Sequence, residues 1–264
     1  MADVLEAIVA AARRSAIDRA ARESASVERA AAAAAPDGRA FAETLSRPGV
    51  RIIAECKRRS PSKGILRREY DPVAIARGYE LAGAAAISVL TESTFFDGSL
   101  DHLRAVRGAV GVPLLRKDFI VNEFQIVEAR AAGVDAVLLI VAALDDRTLG
   151  SLMANAEGHG LAALVEVHSA DEASRAADAG AAIVGVNSRD LRTLEVKPEV
   201  FDHAMRVIRP GTVAVAESGI SEPGEVRRLR DSGYQAFLMG ERFMTAPEPG
   251  AALNAFLVDA GRAQ

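Results

Sequence analysis

Five short apolar segments of the 264-residue chain each end in ionisable or amide side chains. A single polar residue at the end of one segment is better explained as a solvated charge, or as a surface ion pair that adds little stability. Five such segment ends at one rim need another explanation, because buried charges are tolerated only when they are paired or serve a function. The joint pattern predicts a catalytic pocket. Its members are Glu55 and Lys57, Lys117, Glu166, Asn187 and Arg189, and Glu217.

These segments belong to a regular alternation of short apolar runs with amphipathic segments. The runs predict eight strands, at residues 51–56, 85–90, 113–117, 136–141, 162–167, 183–187, 212–216 and 236–239. Helices are predicted at residues 72–81, 100–109, 123–132, 145–157, 171–179, 198–208 and 222–232, and after Gly240. The fold class is therefore α/β, a (β/α)8 or TIM barrel. The alternative, a doubly wound open sheet, lacks a glycine-rich turn after its first strand.

An N-terminal helical extension precedes the barrel. Apolar residues at helical spacing predict an amphipathic helix over residues 3–22, and an alanine-rich stretch at residues 30–35 stops at Pro36. We interpret residues 1–48 as an extension packed on the barrel and residues 49–264 as the catalytic barrel, a single domain overall. The apolar residues of the first helix are Val4, Leu5, Ile8, Val9 and Ile17.

Glycines follow the last two predicted strands, at Gly219 and Gly240. Beside a glycine, backbone N–H groups can approach an anion closely. One such glycine is equally well explained by a turn. Two of them favour a phosphorylated ligand, because barrels of this kind often bind phosphate after their last two strands.

Composition excludes several classes of function. The net charge of −4 gives no field that favours nucleic acid. We expect no secretory signal, because Asp3 and Glu6 stand among the first residues, and no apolar run is long enough to cross a bilayer. The one cysteine, Cys56, suits a reducing cytoplasm. The four histidines lack metal-ligand spacing. We therefore expect a cytoplasmic enzyme without metal or cofactor, a monomer or weak homodimer, whose partner is a small phosphorylated substrate rather than nucleic acid or a membrane.

Seven segments follow one another in a characteristic order, at residues 53–64, 88–92, 95–99, 115–120, 164–168, 185–191 and 216–220. Through these segments the chain resembles the indole-3-glycerol phosphate synthase family, in which they occur in the same order. The likeness extends from about residue 45 nearly to the end. The resemblance implies that 1-(2-carboxyphenylamino)-1-deoxy-D-ribulose 5-phosphate is converted to indole-3-glycerol phosphate, CO2 and water, in tryptophan biosynthesis.

The resemblance also implies the roles of the reacting groups. Lys117 matches the general acid that protonates the ketone oxygen during ring closure, and we expect nearby cations or desolvation to lower the pKa of Lys117 toward neutrality. Glu166 and Glu55 match the groups that stabilise the cationic intermediate and handle protons in dehydration. Lys57 matches a residue that holds the anionic groups of the substrate and donates a proton as water leaves.

Further positions match substrate contacts of the family. Asn187 and Glu217 match hydrogen-bonding residues near the substrate hydroxyls and Lys117. Two positions depart from the family pattern: Asp97, where glutamine or a small residue is common, and Arg242, where a small residue often follows the phosphate turn. The remaining matches are Ser60 and Arg189 for the anthranilate carboxylate, Phe96 and Phe119 for the aromatic ring, and Ser218, Gly219, Gly240 and the backbone of Glu241 for the phosphate.

Three other functions stay open at this point. A phosphosugar aldolase would use Lys117 as a Schiff-base nucleophile, and an isomerase would need Cys56 at the end of the first strand to face an acid partner. A phosphate-binding barrel without catalysis would have lost the acids and bases at its strand ends, yet they are present in this sequence.

Overall fold

Eight parallel strands close into a barrel in the computed structural model, which describes residues 4–261. Two further short strands form a separate antiparallel hairpin after the first barrel strand. The predicted (β/α)8 fold is thus confirmed. In chain order the strands are β1 (Arg51–Cys56), β2 (Arg59–Ser60), β3 (Gly64–Ile65), β4 (Ala86–Leu90), β5 (Leu114–Lys117), β6 (Ala136–Ile140), β7 (Ala162–Val167), β8 (Ile183–Asn187), β9 (Val213–Glu217) and β10 (Ala236–Met239).

Helices surround the barrel and precede it. Asp71 and Asn122 accept hydrogen bonds from the first turns of two of them, which fixes where those helices begin. A short 3-10 helix spans Val141–Ala143. The α-helices are α1 (Val4–Ala33), α2 (Gly38–Ser46), α3 (Pro72–Leu81), α4 (Ser93–Phe96), α5 (Leu100–Arg107), α6 (Glu123–Ala131), α7 (Asp146–Gly158), α8 (Ala170–Asp178), α9 (Glu199–Met205), α10 (Pro223–Asp231), α11 (Glu241–Met244) and α12 (Pro249–Gly261).

The two N-terminal helices cover opposite ends of the barrel interior. Phe41 and Leu45 of α2 are fully buried beside residues that fill the barrel, and α2 begins where Gly38 N–H donates to the Gly160 carbonyl, just before β7. That position is the amino-terminal end of the strands. Leu5 and Ile8 of α1 are buried in the same cluster. Because Ile8 also lines the cavity at the carboxyl ends of the strands, α1 covers part of the barrel mouth.

The structure corrects several predicted boundaries. Helix α1 continues to Ala33, well past residue 22, because alanine-rich sequence favours helix and Val27 and Ala31 pack against the barrel. Ile17, assigned to the apolar face, is 57% exposed. Asp3, the predicted start, lies outside the described residues. Helix α2 had no predicted bounds of its own within the helical extension, and the short α4, β2–β3 hairpin and 3-10 helix were not predicted. Each barrel strand lies within one residue of its predicted bounds.

No helix among residues 4–261 combines the length and apolarity needed to span a bilayer.

A buried chain of charges joins α1 to strand β5. Arg19 Nε lies 2.6 Å from Glu128 Oε1, and the second oxygen of Glu128 lies 2.9 Å from Arg116 Nη2. Arg116 also contacts Asp118 Oδ2 at 2.8 Å, and that oxygen accepts a hydrogen bond from Thr91. Arg116 and Glu128 are almost completely buried. Because neighbouring strand residues face opposite sides, Arg116 points outward into this network while Lys117 points into the barrel.

We expect Glu128→Ala to lower the free energy of unfolding by about 3–5 kcal/mol, because it leaves the buried Arg116 guanidinium with one carboxylate partner fewer. Urea denaturation followed by circular dichroism measures the change. The control is Glu43→Ala, which breaks the exposed Arg39–Glu43 pair and should leave the midpoint nearly unchanged. Equal midpoints for the two variants would contradict a stabilising role of the network.

Candidate active site

A cavity opens at the carboxyl ends of the strands, and every barrel strand contributes to its lining. The residues predicted from the sequence to form the site all line this one cavity, although they come from widely separated parts of the chain. They are Glu55, Lys57, Ser60, Phe96, Lys117, Phe119, Glu166, Asn187, Arg189, Glu217, Ser218, Gly219, Gly240 and Glu241.

Lys117 lies at the centre of the polar part of the cavity. Its ammonium nitrogen is 2.5 Å from Glu166 Oε2 and 3.3 Å from Glu217 Oε2. Burial alone would lower the pKa of Lys117, but Glu166, Glu217 and Glu55 outweigh burial and raise it above its usual value. The expectation of a pKa near neutrality is therefore wrong, because carboxylates rather than cations surround the amine. Lys117 holds its proton throughout the neutral pH range.

The two glutamates beside Lys117 have opposite pKa shifts. Burial would raise the pKa of Glu166, but Lys117 and His168 outweigh burial and hold it well below its usual range. Asn187 Nδ2 also donates to Glu166 Oε1 at 3.2 Å. For Glu217, burial and the charge of Glu166 raise the pKa despite the opposing effect of Lys117. The two glutamates therefore titrate as a coupled pair, in which Glu217 takes up a proton more readily than Glu166.

Two glycines leave room for the buried carboxylates. Gly185 is the register partner of Glu166 on β8, and a Cβ there would lie 2.1 Å from Glu217 Oε1. A Cβ at Gly240 would lie 2.6 Å from Glu55 Oε1. Neither glycine has a positive φ, so close approach rather than backbone conformation requires them. Gly185 was not predicted as a site residue, because its close approach to Glu217 on β9 exists only in the folded chain.

A second ion pair stands at the end of β1, which is separated from β5 and Lys117 by the single strand β4. Glu55 and Lys57, two residues apart on the chain, both project into the cavity, and Lys57 Nζ contacts Glu55 Oε1. Glu55 is almost fully buried, whereas Lys57 keeps some solvent exposure. The cavity thus contains two separate lysine–carboxylate groups, each able to hold and move a proton.

Polar groups at one edge of the cavity can hold an anion. Arg189 donates to the Leu194 carbonyl and lies 3.7 Å from Glu241. Lys63, in the segment between β2 and β3, lies 3.8 Å from the same carboxylate. Ser60, on β2, is buried and accepts a hydrogen bond from the Lys63 backbone.

The turn after β9 has an unusual backbone. Ser218 and Gly219 have φ angles of 62° and 67°, in the left-handed region. Gly240 follows β10 directly and precedes α11. Arg242 lines the cavity too, but its guanidinium donates to the Ser221 carbonyl and lies 5.2 Å from the ring centroid of Phe256. The Arg242 side chain is thus held between the segment after β9 and Phe256 of α12.

Apolar residues form another part of the cavity wall. The rings of Phe96 and Phe119 lie 6.2 Å apart, centroid to centroid. Ile8 of α1 and Leu191 also line the cavity, and both were missed because nothing in their local sequence pattern places them at the barrel mouth. Asp97 contacts Arg58 and Arg59 at 3.5 and 3.7 Å, so the segment after β4 is tied to the segment after β1.

Cys56 points away from the cavity. It is fully buried in the apolar layer between strands and helices, where burial raises the pKa of the thiol. This placement removes the nucleophile that an isomerase would need at the end of β1. Fold and site together define a (β/α)8-barrel enzyme with buried acid–base groups at the carboxyl ends of its strands.

Comparison with known proteins gives the family. A family model described as Indole-3-glycerol phosphate synthase matches residues 5–256. The indole-3-glycerol phosphate synthase of Mycobacterium avium is 47% identical over 260 residues, which cover 98% of this chain and 95% of the relative. That of Kineococcus radiotolerans is 53% identical over 213 residues, 81% of this chain and 77% of the relative. The chain belongs to the indole-3-glycerol phosphate synthase family, and it is a carboxy-lyase of tryptophan biosynthesis.

Solved structures of low sequence identity share the fold. Orotidine 5'-phosphate decarboxylase from Pyrococcus horikoshii OT3 superposes with a TM-score of 0.61 at 13% identity, covering 80% of this chain and 100% of that chain. KGPDC from Streptococcus mutans gives a TM-score of 0.62 at 14% identity, with 81% and 98% covered. At these identities the likeness concerns the barrel alone.

We expect Gly185→Ala to lower kcat by at least about tenfold, because the added methyl group displaces the Glu217 carboxylate from Lys117. Steady-state kinetics measures kcat, and thermal unfolding checks that the barrel remains folded. The matched control is Gly150→Ala on α7, where a Cβ meets nothing within 4 Å. A folded Gly185→Ala variant with the kcat of the control would contradict this account of Glu217.

Proposed function

We propose that this cavity converts 1-(2-carboxyphenylamino)-1-deoxy-D-ribulose 5-phosphate to indole-3-glycerol phosphate, CO2 and water, with Lys117 as the general acid. The observation that carries the assignment is the buried Lys117 ammonium, held between Glu166 and Glu217. A fully protonated donor beside two carboxylates suits a reaction that begins by protonating a ketone oxygen.

In the proposed ring closure, the anthranilate ring carbon that bears the carboxylate attacks the ketone carbon. A carbon–carbon bond forms as the carbonyl electrons move to oxygen, which takes a proton from Lys117. A raised pKa keeps this lysine charged until the ketone oxygen becomes basic in the transition state. The ring and its nitrogen become cationic, and the ionised Glu166 carboxylate stabilises that charge.

Loss of CO2 returns the bonding electrons of the carboxylate to the ring and restores its aromaticity. Dehydration then removes the hydroxyl formed in the first step, together with a proton, and completes the indole. We assign to Lys57, which Glu55 holds in place, the donation of a proton to the leaving hydroxyl. We assign the removal of the other proton to the glutamates. Asn187 orients Glu166 through its hydrogen bond to Oε1.

Anchors at both substrate ends fold the open chain toward ring closure. We assign the anthranilate carboxylate to Ser60 and Arg189, since arginine can bind a carboxylate through two parallel hydrogen bonds. Holding both reacting atoms together can supply several kcal/mol of the barrier reduction, because the reaction is intramolecular. The aromatic ring is assigned to the apolar wall of Phe96 and Phe119. The phosphate is assigned to Ser218, Gly219, Gly240 and the backbone of Glu241.

The competing functions fit these observations less well. A Schiff-base aldolase needs Lys117 as a neutral amine, whereas the surrounding carboxylates stabilise the ammonium form. A barrel that only binds phosphate gives no reason to bury two lysine–carboxylate groups.

We further propose that residues 1–48 form one domain with the barrel, and that the enzyme acts in the cytoplasm as a monomer or a weak homodimer.

We expect Lys117→Ala to lower the rate of indole-3-glycerol phosphate formation by at least about a hundredfold, because the ketone oxygen loses its proton donor. Product fluorescence measures turnover, and calorimetric titration with the substrate should show largely retained binding. Borohydride added to wild-type enzyme with substrate should trap no covalent adduct. Wild-type turnover in the variant would remove this mechanism, and a trapped adduct would favour the aldolase.

A further inference from the structure

His168 is a buried ionisable group that the proposed mechanism leaves without a role. It follows β7 directly and precedes Ser169, whose side chain caps α8. Its side chain is 10% exposed and lies behind Glu166, outside the residues that line the cavity. The imidazole is therefore placed to act on Glu166 rather than on substrate.

Both ring nitrogens of His168 face carboxylates. Nε2 lies 3.1 Å from Glu166 Oε1, close enough for an ion pair, although no aligned hydrogen bond joins the two atoms. Nδ1 lies 3.1 Å from Glu172 Oε2 on the first turn of α8. An imidazole between two carboxylates is stabilised in its doubly protonated, cationic form.

Capping of α8 does not need the imidazole. The backbone N–H of His168 donates to Glu172 Oε2 at 2.8 Å, and Ser169 Oγ accepts from the Glu172 backbone. Both bonds would persist with another side chain at position 168. The start of α8 therefore does not require an imidazole at position 168, and the contact of the ring with Glu166 needs another explanation.

We propose that His168 is a positioning residue whose imidazolium, held by Glu172, keeps Glu166 as the ionised member of the Glu166–Glu217 pair. This inference deepens the proposed function and rests on it, because it settles which of the two buried glutamates carries the proton. Cations then lie on two sides of Glu166, Lys117 in the cavity and His168 behind it.

The charges around the two groups are consistent with this division. Burial would lower the pKa of His168, but Glu166 and Glu172 outweigh burial and raise it to about 9. The titratable groups facing Glu166 are Lys117 on β5, Glu217 on β9 and His168 itself, and Glu55 on β1 acts through Lys117. Replacing the imidazolium by a neutral group removes one cation, so the pKa of Glu166 must rise.

The variant that tests the charge is His168→Gln, because a glutamine amide keeps a donor toward Glu166 and loses the positive charge. We expect the acid limb of the pH profile of kcat to move up by about one to three pH units. KM should stay within about twofold, since His168 lies outside the cavity wall. Glu172→Gln, which still accepts from the His168 backbone, should shift the limb less and in the same direction. The control is His203→Gln, an exposed position on α9, with a wild-type profile.

A measurement on unmodified enzyme tests the same claim without catalysis. The chain has four histidines, so ¹⁵N-histidine NMR resolves each ring, and His168→Gln assigns the signal. We expect one ring, absent from that variant, to remain doubly protonated at pH 8. A His168 ring that is neutral at pH 7.5 would overturn the proposal, as would a folded His168→Gln enzyme with an unshifted profile, whatever its kcat or melting temperature. Wild-type turnover by Lys117→Ala would instead overturn the proposed function, which leaves the NMR result unaffected.

Discussion

The ion cluster around Lys117 is the constraint on which the site depends. A buried ammonium 2.5 Å from Glu166 and 3.3 Å from Glu217 is stable only if the carboxylates remain in place, since an unpaired charge at this depth costs several kcal/mol. The same contacts keep Lys117 protonated and shift the pKa values of the two glutamates in opposite directions, downward for Glu166 and upward for Glu217. One arrangement of side chains thus stabilises the cluster and keeps a protonated lysine in the cavity.

The barrel supplies this arrangement by bringing strand ends together. Lys117, Glu166 and Glu217 stand on β5, β7 and β9, and Gly185 on the intervening β8 leaves the space that Glu217 fills. Outside the barrel, Arg116 fixes the other face of β5 through Glu128 and Asp118. Strand β5 therefore carries Lys117 into the cavity and Arg116 into the outer network, so that the N-terminal helix is connected to the strand that positions Lys117.

Sequence periodicity was sufficient to predict the barrel, because buried parallel strands are continuous apolar runs and each is followed by an amphipathic helix. It was also sufficient to place Lys117, Glu166 and Glu217 at one rim. Sequence periodicity did not predict the features of the site that depend on contacts between residues distant in the chain. The place of Ile8 over the mouth and the need for glycine at position 185 depend on packing partners distant in the chain. The expectation of a lowered pKa for Lys117 was wrong for the same reason, since only the folded chain shows that three carboxylates raise it.

Neutron diffraction from deuterium-exchanged crystals at neutral pH tests the central claim most directly, because it locates the hydrogen isotopes on the cluster. The account predicts three deuterons on Lys117 Nζ and none on the Glu166 carboxylate. A neutral Lys117 amine beside a protonated Glu166 would contradict it.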